Sequence, residues 1–198
     1  MDLAIAAALM GFAFVATVTP GPNNLMLLAS GANFGFRRTV PHMFGILIGF
    51  SAMILLVGMG LMAVFDAVPL LETGLRIASV LYLLWLAWKV ASAAPPEHAE
   101  ADARPMSFIA AALFQWVNPK AWAMALSAIT LYAPERTLPS VVLVVLAFAV
   151  TCLPAISLWA WIGTVLRRSL SNRRRLTAFN VSMALLLVAS LYPVLMPR

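Results

Sequence analysis

The sequence predicts an all-α membrane protein: six transmembrane helices in two inverted three-helix repeats, with helices 1 and 4 broken by proline motifs. Three observations lead there. The 198 residues are 63% hydrophobic and 10% charged, with mean hydropathy +0.96. A soluble domain is about half apolar and a quarter charged. Six apolar runs each approach the ~20 residues that a spanning helix needs. Proline-centred motifs interrupt the first and fourth of those runs. The whole chain, 1–198, reads as one transmembrane domain with repeat halves 1–93 and 106–198.

The runs fall at 3–31, 39–64, 71–91, 106–131, 138–165 and 176–195. The N-terminal MDLAIAAALM lacks the basic stretch of a signal peptide and is read as a span that stays. The connections are short. The longest, 94–105 (APPEHAEADARP), holds Glu97, Glu100, Asp102 and three prolines, and reads as a polar linker between the halves. Lys and Arg set orientation. Nine of the thirteen lie in or beside the first, third and fifth loops: Arg37, Arg38, Lys89, Arg104, Arg167, Arg168, Arg173, Arg174 and Arg175. Arg76, Arg136 and Arg198 lie on the other side, and Lys120 lies within a span. The bias puts the richer loops in the cytoplasm and both termini outside. This clustering is an orientation signal and gives no nucleic-acid surface.

Span 1 carries TPGPNN, Thr19 to Asn24; span 4 carries FQWVNPKAW, Phe114 to Trp122. Proline lacks an N–H and clashes with the preceding turn. In lipid the freed backbone groups find no water, so a break survives only inside protein or beside a wet cavity. Thr19 suits an N-cap, Pro20 or Pro22 a first helical position, and Gly21 the turn between. The helix resuming near Asn23 would present free N–H groups and a positive dipole end to an anion such as a carboxylate. Asn118, Pro119 and Lys120 would build a similar end from the other side, with a full charge added. A proline can also be a plain kink, and Lys120 can instead snorkel to an interface. Three spans per half is an odd number, so the second half enters from the opposite face and the two breaks meet near the midplane. Paired broken helices of this kind point to a transporter binding site.

The seven acidic residues, Asp2, Asp66, Glu72, Glu97, Glu100, Asp102 and Glu135, all fall at a terminus, a span end or a loop. That opposes a carboxylate-lined cation channel and a strongly cationic substrate. Candidates for coupling are His42, early in span 2, and the i,i+4 pair Glu72 and Arg76. The plainer readings are a hydrogen-bonded interfacial histidine and an interfacial ion pair. Asn24, Gln115, Tyr82 and Asn180 are candidate cavity-lining residues, and Ser182 is a further polar position that can face the bundle. Trp85 and Trp88 fit an interfacial belt. Gly45 and Gly49 form a GxxxG, followed by Gly58 and Gly60, which read as close helix packing. Cys152 stands alone and reads as an inert packing residue.

TPGPNN, then GFRRTVPHMFGILIGF, GLRIASVLYLLWLAWK and FQWVNPKAW, in that order and over nearly the whole chain, resemble the lysine-exporter (LysE/RhtB) family of small bacterial efflux transporters. The resemblance implies export of amino acids or their derivatives across the bacterial inner membrane, by proton antiport, with assembly as oligomers. It implies no cofactor or metal. The motif positions carried over are Pro20, Gly21, Pro22 and Asn23, with Asn118, Pro119 and Lys120. Arg38 matches the basic position of the first loop, and Gly45 and Gly49 match span-2 glycines. Many members have a polar or acidic residue where this chain has Phe50, a departure that bears on coupling and substrate.

Two other classes fit less well. A thiol–disulfide carrier needs two cysteines, and an intramembrane protease needs paired aspartates, a Ser–His pair or HExxH. No span holds two cysteines, two aspartates or HExxH. A non-transporting membrane scaffold would not need two breaks at corresponding positions.

Overall fold

The computed structural model describes residues 3–61, 63, 67–68, 70–92, 104–170 and 172–192, with the backbone alone at Glu72 and Arg168. Asp2, Asp66, Glu97, Glu100, Asp102, His98, Arg198 and most of the expected linker lie outside the described residues. So does the Glu72 side chain, and with it the expected Glu72–Arg76 pair. Arg76 itself is exposed.

All regular structure among the described residues is helical. The helices are α1 (Leu3–Val18), α2 (Pro22–Phe34), α3 (Phe36–Leu56), α4 (Leu70–Ala91), α5 (Phe108–Val117), α6 (Pro119–Tyr132), α7 (Leu138–Ser169) and α8 (Arg173–Ala189). A π-helical turn, Val57–Leu61, extends α3. The expected first span is thus two helices bent by 53° across Thr19–Gly21. Residues Phe36–Leu61, Thr73–Ala91 and Leu138–Arg167 are long and apolar enough to cross a bilayer, and the bent α1–α2 pair makes a fourth such unit. The expected span 106–131 is split at Asn118 into ten- and fourteen-residue helices. The expected span 176–195 is a seventeen-residue helix that opens on three arginines. Neither reaches spanning length as a single helix.

Side-chain caps mark several helix starts. Ser107 accepts from the Ala110 N–H, Thr137 from Ser140 and Asn172 from Arg174, each satisfying a donor that the helix cannot. Gly35 separates α2 from α3 with φ +81°, a conformation that side chains resist.

Small residues let the helices approach. Apolar tails are as good a solvent for leucine as another helix is, so membrane helices associate by close packing rather than by the hydrophobic effect. A Cβ at Gly45 would strike the Phe108 carbonyl, and one at Gly49 would lie 2.6 Å from Ala112 Cα. The expected GxxxG is therefore the α3–α5 contact. Gly31 and Gly163 do the same for α2 and α7, each against the other helix's backbone at Ala160 and Leu28. Gly58 abuts Val141, but Gly60 has open space and φ +103°. Gly60 allows the chain to turn; it does not serve packing, contrary to the sequence expectation.

Helix α3 runs through the middle, packed on α2, α5, α6 and α7. One apolar cluster joins α1, α3, α6 and α7 through Ala13, Phe50, Ala125 and Phe148; another joins α2, α4, α5 and α8 through Leu28, Leu83, Phe114 and Leu187. A third, built on Leu27, Ile46, Cys152 and Ile156, lies where α2, α3 and α7 meet. The two helix breaks sit beside this central group.

Candidate functional site between the two breaks

The break in α1–α2 exposes four successive carbonyls, and each receives a side-chain donor. Asn24 Nδ2 donates to the Thr17 and Thr19 oxygens, both at 2.8 Å. Trp159 Nε1 donates to Val18 at 3.0 Å. Lys120 Nζ donates to the Thr19 oxygen at 2.7 Å, the Thr19 hydroxyl at 2.9 Å and the Pro20 oxygen at 3.3 Å. An unpaired carbonyl in lipid costs several kcal/mol, and here the fold leaves none of the four unpaired. The positive Lys120 also meets the negative end of the α1 dipole.

Helix α2 restarts with Pro22 at its first position after Gly21, which is extended at φ −177°. Thr19 is therefore not the N-cap expected from sequence; its hydroxyl donates to the Ala16 carbonyl at 3.1 Å and accepts from Lys120. Any residue can adopt the Gly21 backbone. Space decides instead: a Cβ there would lie 2.6 Å from Lys120 Cδ. The first ladder bond of α2 runs from the Leu25 N–H to Gly21, so the Asn23 and Asn24 N–H groups lie ahead of the ladder.

The second break differs. Asn118 Oδ1 accepts from the Lys120 N–H at 3.1 Å and so caps α6 itself. The Ala121 N–H bonds the Asn118 carbonyl. This helix end is already satisfied, and its contribution to the site is the Lys120 side chain. Of the two positive ends expected from sequence, only that of α2 has N–H groups left over.

A second link joins the halves. Asn23 Nδ2 donates to Gln115 Oε1 at 2.8 Å, and Gln115 Nε2 returns to Asn23 Oδ1 at 3.3 Å. Gln115 is fully buried and also donates to the Ala111 carbonyl.

Between these links lies a cavity of about 30 Å³. Its polar wall is Thr17, Gly21, Asn23, Asn24, Asn118 and Lys120; its apolar wall includes Ile46, Phe50, Met124, Cys152 and Ile156. The volume has room for a water or two and none for an amino acid. Lys120 faces the cavity and the broken helix.

The other candidates fall elsewhere. Tyr82 stacks on Trp85 and Phe114, with ring centroids 5.3 and 5.4 Å apart, in the α4–α5 contact and away from the cavity. Asn180 is fully buried and accepts from Asn33 Nδ2 at 3.2 Å, at the far end of α2. Ser182 is exposed and bonds within its own helix. His42 is 1% exposed and neither ring nitrogen has a hydrogen-bond partner, so it is not the hydrogen-bonded interfacial residue of the plainer reading. Glu135, the one acidic side chain described, is exposed between α6 and α7. Among the described residues no cluster of His, Cys, Asp or Glu suits a metal.

Thr17, Trp159 and Cys152 were not expected at this site. Tryptophan on a long apolar helix carries no local signal of a carbonyl partner 141 positions away.

The family model "LysE type translocator" matches residues 5–190. This chain belongs to the LysE family. Three of the four motifs that carried the resemblance contribute residues to the cavity of this LysE-family chain, TPGPNN through Gly21, Asn23 and Asn24, GFRRTVPHMFGILIGF through Ile46 and Phe50, and FQWVNPKAW through Asn118 and Lys120. It is 32% identical over 192 residues to the cysteine/O-acetylserine efflux protein of Escherichia coli (strain K12), covering 95% of this chain and 96% of that one. It is similar to the protein of the same description from Shigella sonnei (strain Ss046) to the same extent. The Shigella flexneri protein of that description is 32% identical over 181 residues, covering 89% and 90%. No solved structure matches.

Proposed function

We propose that this LysE-family chain exports a small zwitterionic amino acid or amino-acid derivative across the bacterial inner membrane in exchange for protons. Its substrate site is the space between the breaks, built from Thr19 to Asn23 and Asn118 to Lys120. The observation that carries this reading is Lys120 Nζ lying on Thr19 and Pro20 beside the free N–H end of α2. An ammonium and a helix N-terminus together suit a carboxylate. No acidic side chain lines the cavity, so a basic side chain on the substrate would meet no counter-charge. The relatives' description as cysteine/O-acetylserine efflux proteins supports a short, uncharged side chain against Ile46, Phe50 and Met124.

In this reading α5 with α6, and α8, complete six crossings. The halves form an inverted repeat, both termini face the periplasm, and copies associate as homo-oligomers. Cycling rocks one half against the other, breaking the Lys120–Thr19 and Asn23–Gln115 links as the cavity opens. The test is efflux from cells loaded with a panel of amino acids. Expression should speed loss of small neutral members such as cysteine and O-acetylserine and leave lysine and arginine unchanged. No gain for any member would refute the reading.

A further inference from the structure

The exporter reading accounts for one pole of a zwitterion. Lys120 and the N–H end of α2 meet the carboxylate, but no acidic side chain lines the cavity, and the substrate's ammonium is left without a partner. A charge leaving water needs one, because its desolvation is otherwise far costlier than that of a neutral group. With no carboxylate at hand, neutral oxygens of the chain must hold it.

The side-chain oxygens around the cavity are poorly suited. Asn118 Oδ1 is committed to the Lys120 N–H. The Asn23 and Gln115 oxygens accept from each other's amides, and Asn23 sits in the first turn of α2, where the helix dipole opposes a cation. The other oxygens are those of the break itself. The Thr19 and Pro20 carbonyls follow the negative end of the α1 dipole, with the Thr19 hydroxyl beside them. They already hold an ammonium: Lys120 Nζ lies 2.7 Å from the Thr19 carbonyl, 2.9 Å from its hydroxyl and 3.3 Å from the Pro20 carbonyl. Thr19 and Pro20 are exposed, whereas Thr17 and Asn24 next to them are buried. The three oxygens therefore open outward from the packed core, within reach of a solute. Lys120 lines the cavity, and its ammonium ends on this exposed side.

We infer that the Thr19 hydroxyl and the Thr19 and Pro20 carbonyls are the binding site for the substrate's α-ammonium, which takes the place that Lys120 Nζ holds in this structure. The inference rests on the exporter reading above and adds the second pole to its site. The exchange of partners balances. The substrate carboxylate draws the Lys120 ammonium off the three oxygens, the substrate ammonium fills the place vacated, and both cations keep partners. A carboxylate with no ammonium would strip these oxygens of their cation and supply none, so Lys120 is held back. The break also matches the substrate in shape. An α-amino acid carries both charges on one carbon, and α1 ends at Val18 while α2 begins at Pro22, which brings a negative and a positive helix end together. The substrate class is then an α-amino acid with a free amino group. Acylation of its side chain is tolerated and acylation of its nitrogen is not.

The experiment uses the full chain in proteoliposomes exchanging labelled O-acetylserine, in mildly acidic buffer that keeps the acetyl group on oxygen. Unlabelled O-acetylserine and N-acetylserine are compared as inhibitors; the isomers share the carboxylate, and only the first has an ammonium. N-acetylserine should inhibit at least about tenfold more weakly, the worth of bonds to a charged group. Thr19→Val removes the hydroxyl and keeps both carbonyls. It should weaken O-acetylserine about three- to tenfold, leave N-acetylserine within about twofold, and so shrink the preference. Equal inhibition by the isomers in the native chain would overturn the inference and leave the exporter reading standing, as would an equal change for both in Thr19→Val. No exchange in the native chain would remove that reading and this one with it. A second measurement does not depend on transport. Lys120→Ala vacates the oxygens, so ethylammonium should raise the melting temperature of that variant in detergent and leave the native chain unchanged. Tetramethylammonium, which has the charge without N–H donors, should raise neither. Equal responses of native and Lys120→Ala protein to ethylammonium would overturn the inference.

Discussion

Lys120 Nζ lies 2.7 Å from the Thr19 carbonyl and 2.9 Å from the Thr19 hydroxyl, across 101 positions of sequence. One side chain from the second break thereby closes the first. An entering carboxylate would compete with these oxygens for the same ammonium, offering it a full negative charge where they offer only dipoles. Substrate binding and release of the contact between the halves would then be one event.

Gly21 leaves room for that ammonium. In Gly21→Ala the new Cβ would stand 2.6 Å from Lys120 Cδ and displace the lysine without removing it. Export should fall by about tenfold or more, since misplacing a positioning group by an ångström is that costly. Abundance in the membrane should remain near native. Efflux assays with quantitative blotting read both.

Trp159 should matter for stability. Trp159→Phe strands the Val18 carbonyl, with an expected loss of about 1–3 kcal/mol. Trp161→Phe is the control, because Trp161 is 56% exposed and should change little. Thermal unfolding in detergent separates the two; equal melting of both variants would show that Val18 needs no side-chain donor.

The amide pair Asn23–Gln115 should be strongly non-additive. Either single alanine change leaves its partner's amide unsatisfied, at about 1–3 kcal/mol. The double change should cost clearly less than the sum, with a coupling of about 0.5–3 kcal/mol.

The glycines sort by what they touch. Gly31→Ala and Gly163→Ala each drive a Cβ into backbone across the α2–α7 contact and should sharply lower the yield of folded protein. Gly11→Ala and Gly74→Ala have nothing within 4 Å and should be neutral or stabilising by up to about 1 kcal/mol. Size-exclusion profiles after extraction give the comparison.

The breaks were legible because Pro, Gly and Asn are locally incompatible with an apolar helix, and lipid forbids such a conflict without a reason. The breaks meet through Lys120 and Thr19. The capping details were not legible. Thr19 looks like an N-cap by type, yet the helix restarts two residues later because Pro22 takes the first position. Trp159, Thr17 and Cys152 reached the site through the rotational setting of α7 and α1, which apolar sequences all round do not encode. Tyr82 and Asn180 misled for the same reason: a polar group in a span must face protein, but the sequence does not say which protein surface. Gly31 and Gly163 lacked the GxxxG spacing that made Gly45 and Gly49 visible, because each is a single contact point rather than a repeated one.

The central claim is that the space between the breaks is the substrate site. Its most direct test is O-acetylserine exchange in proteoliposomes holding equal amounts of folded native, Asn23→Ala and Lys120→Ala protein. Both variants should insert normally and exchange at least about tenfold more slowly than the native chain. Native exchange rates in both would contradict it.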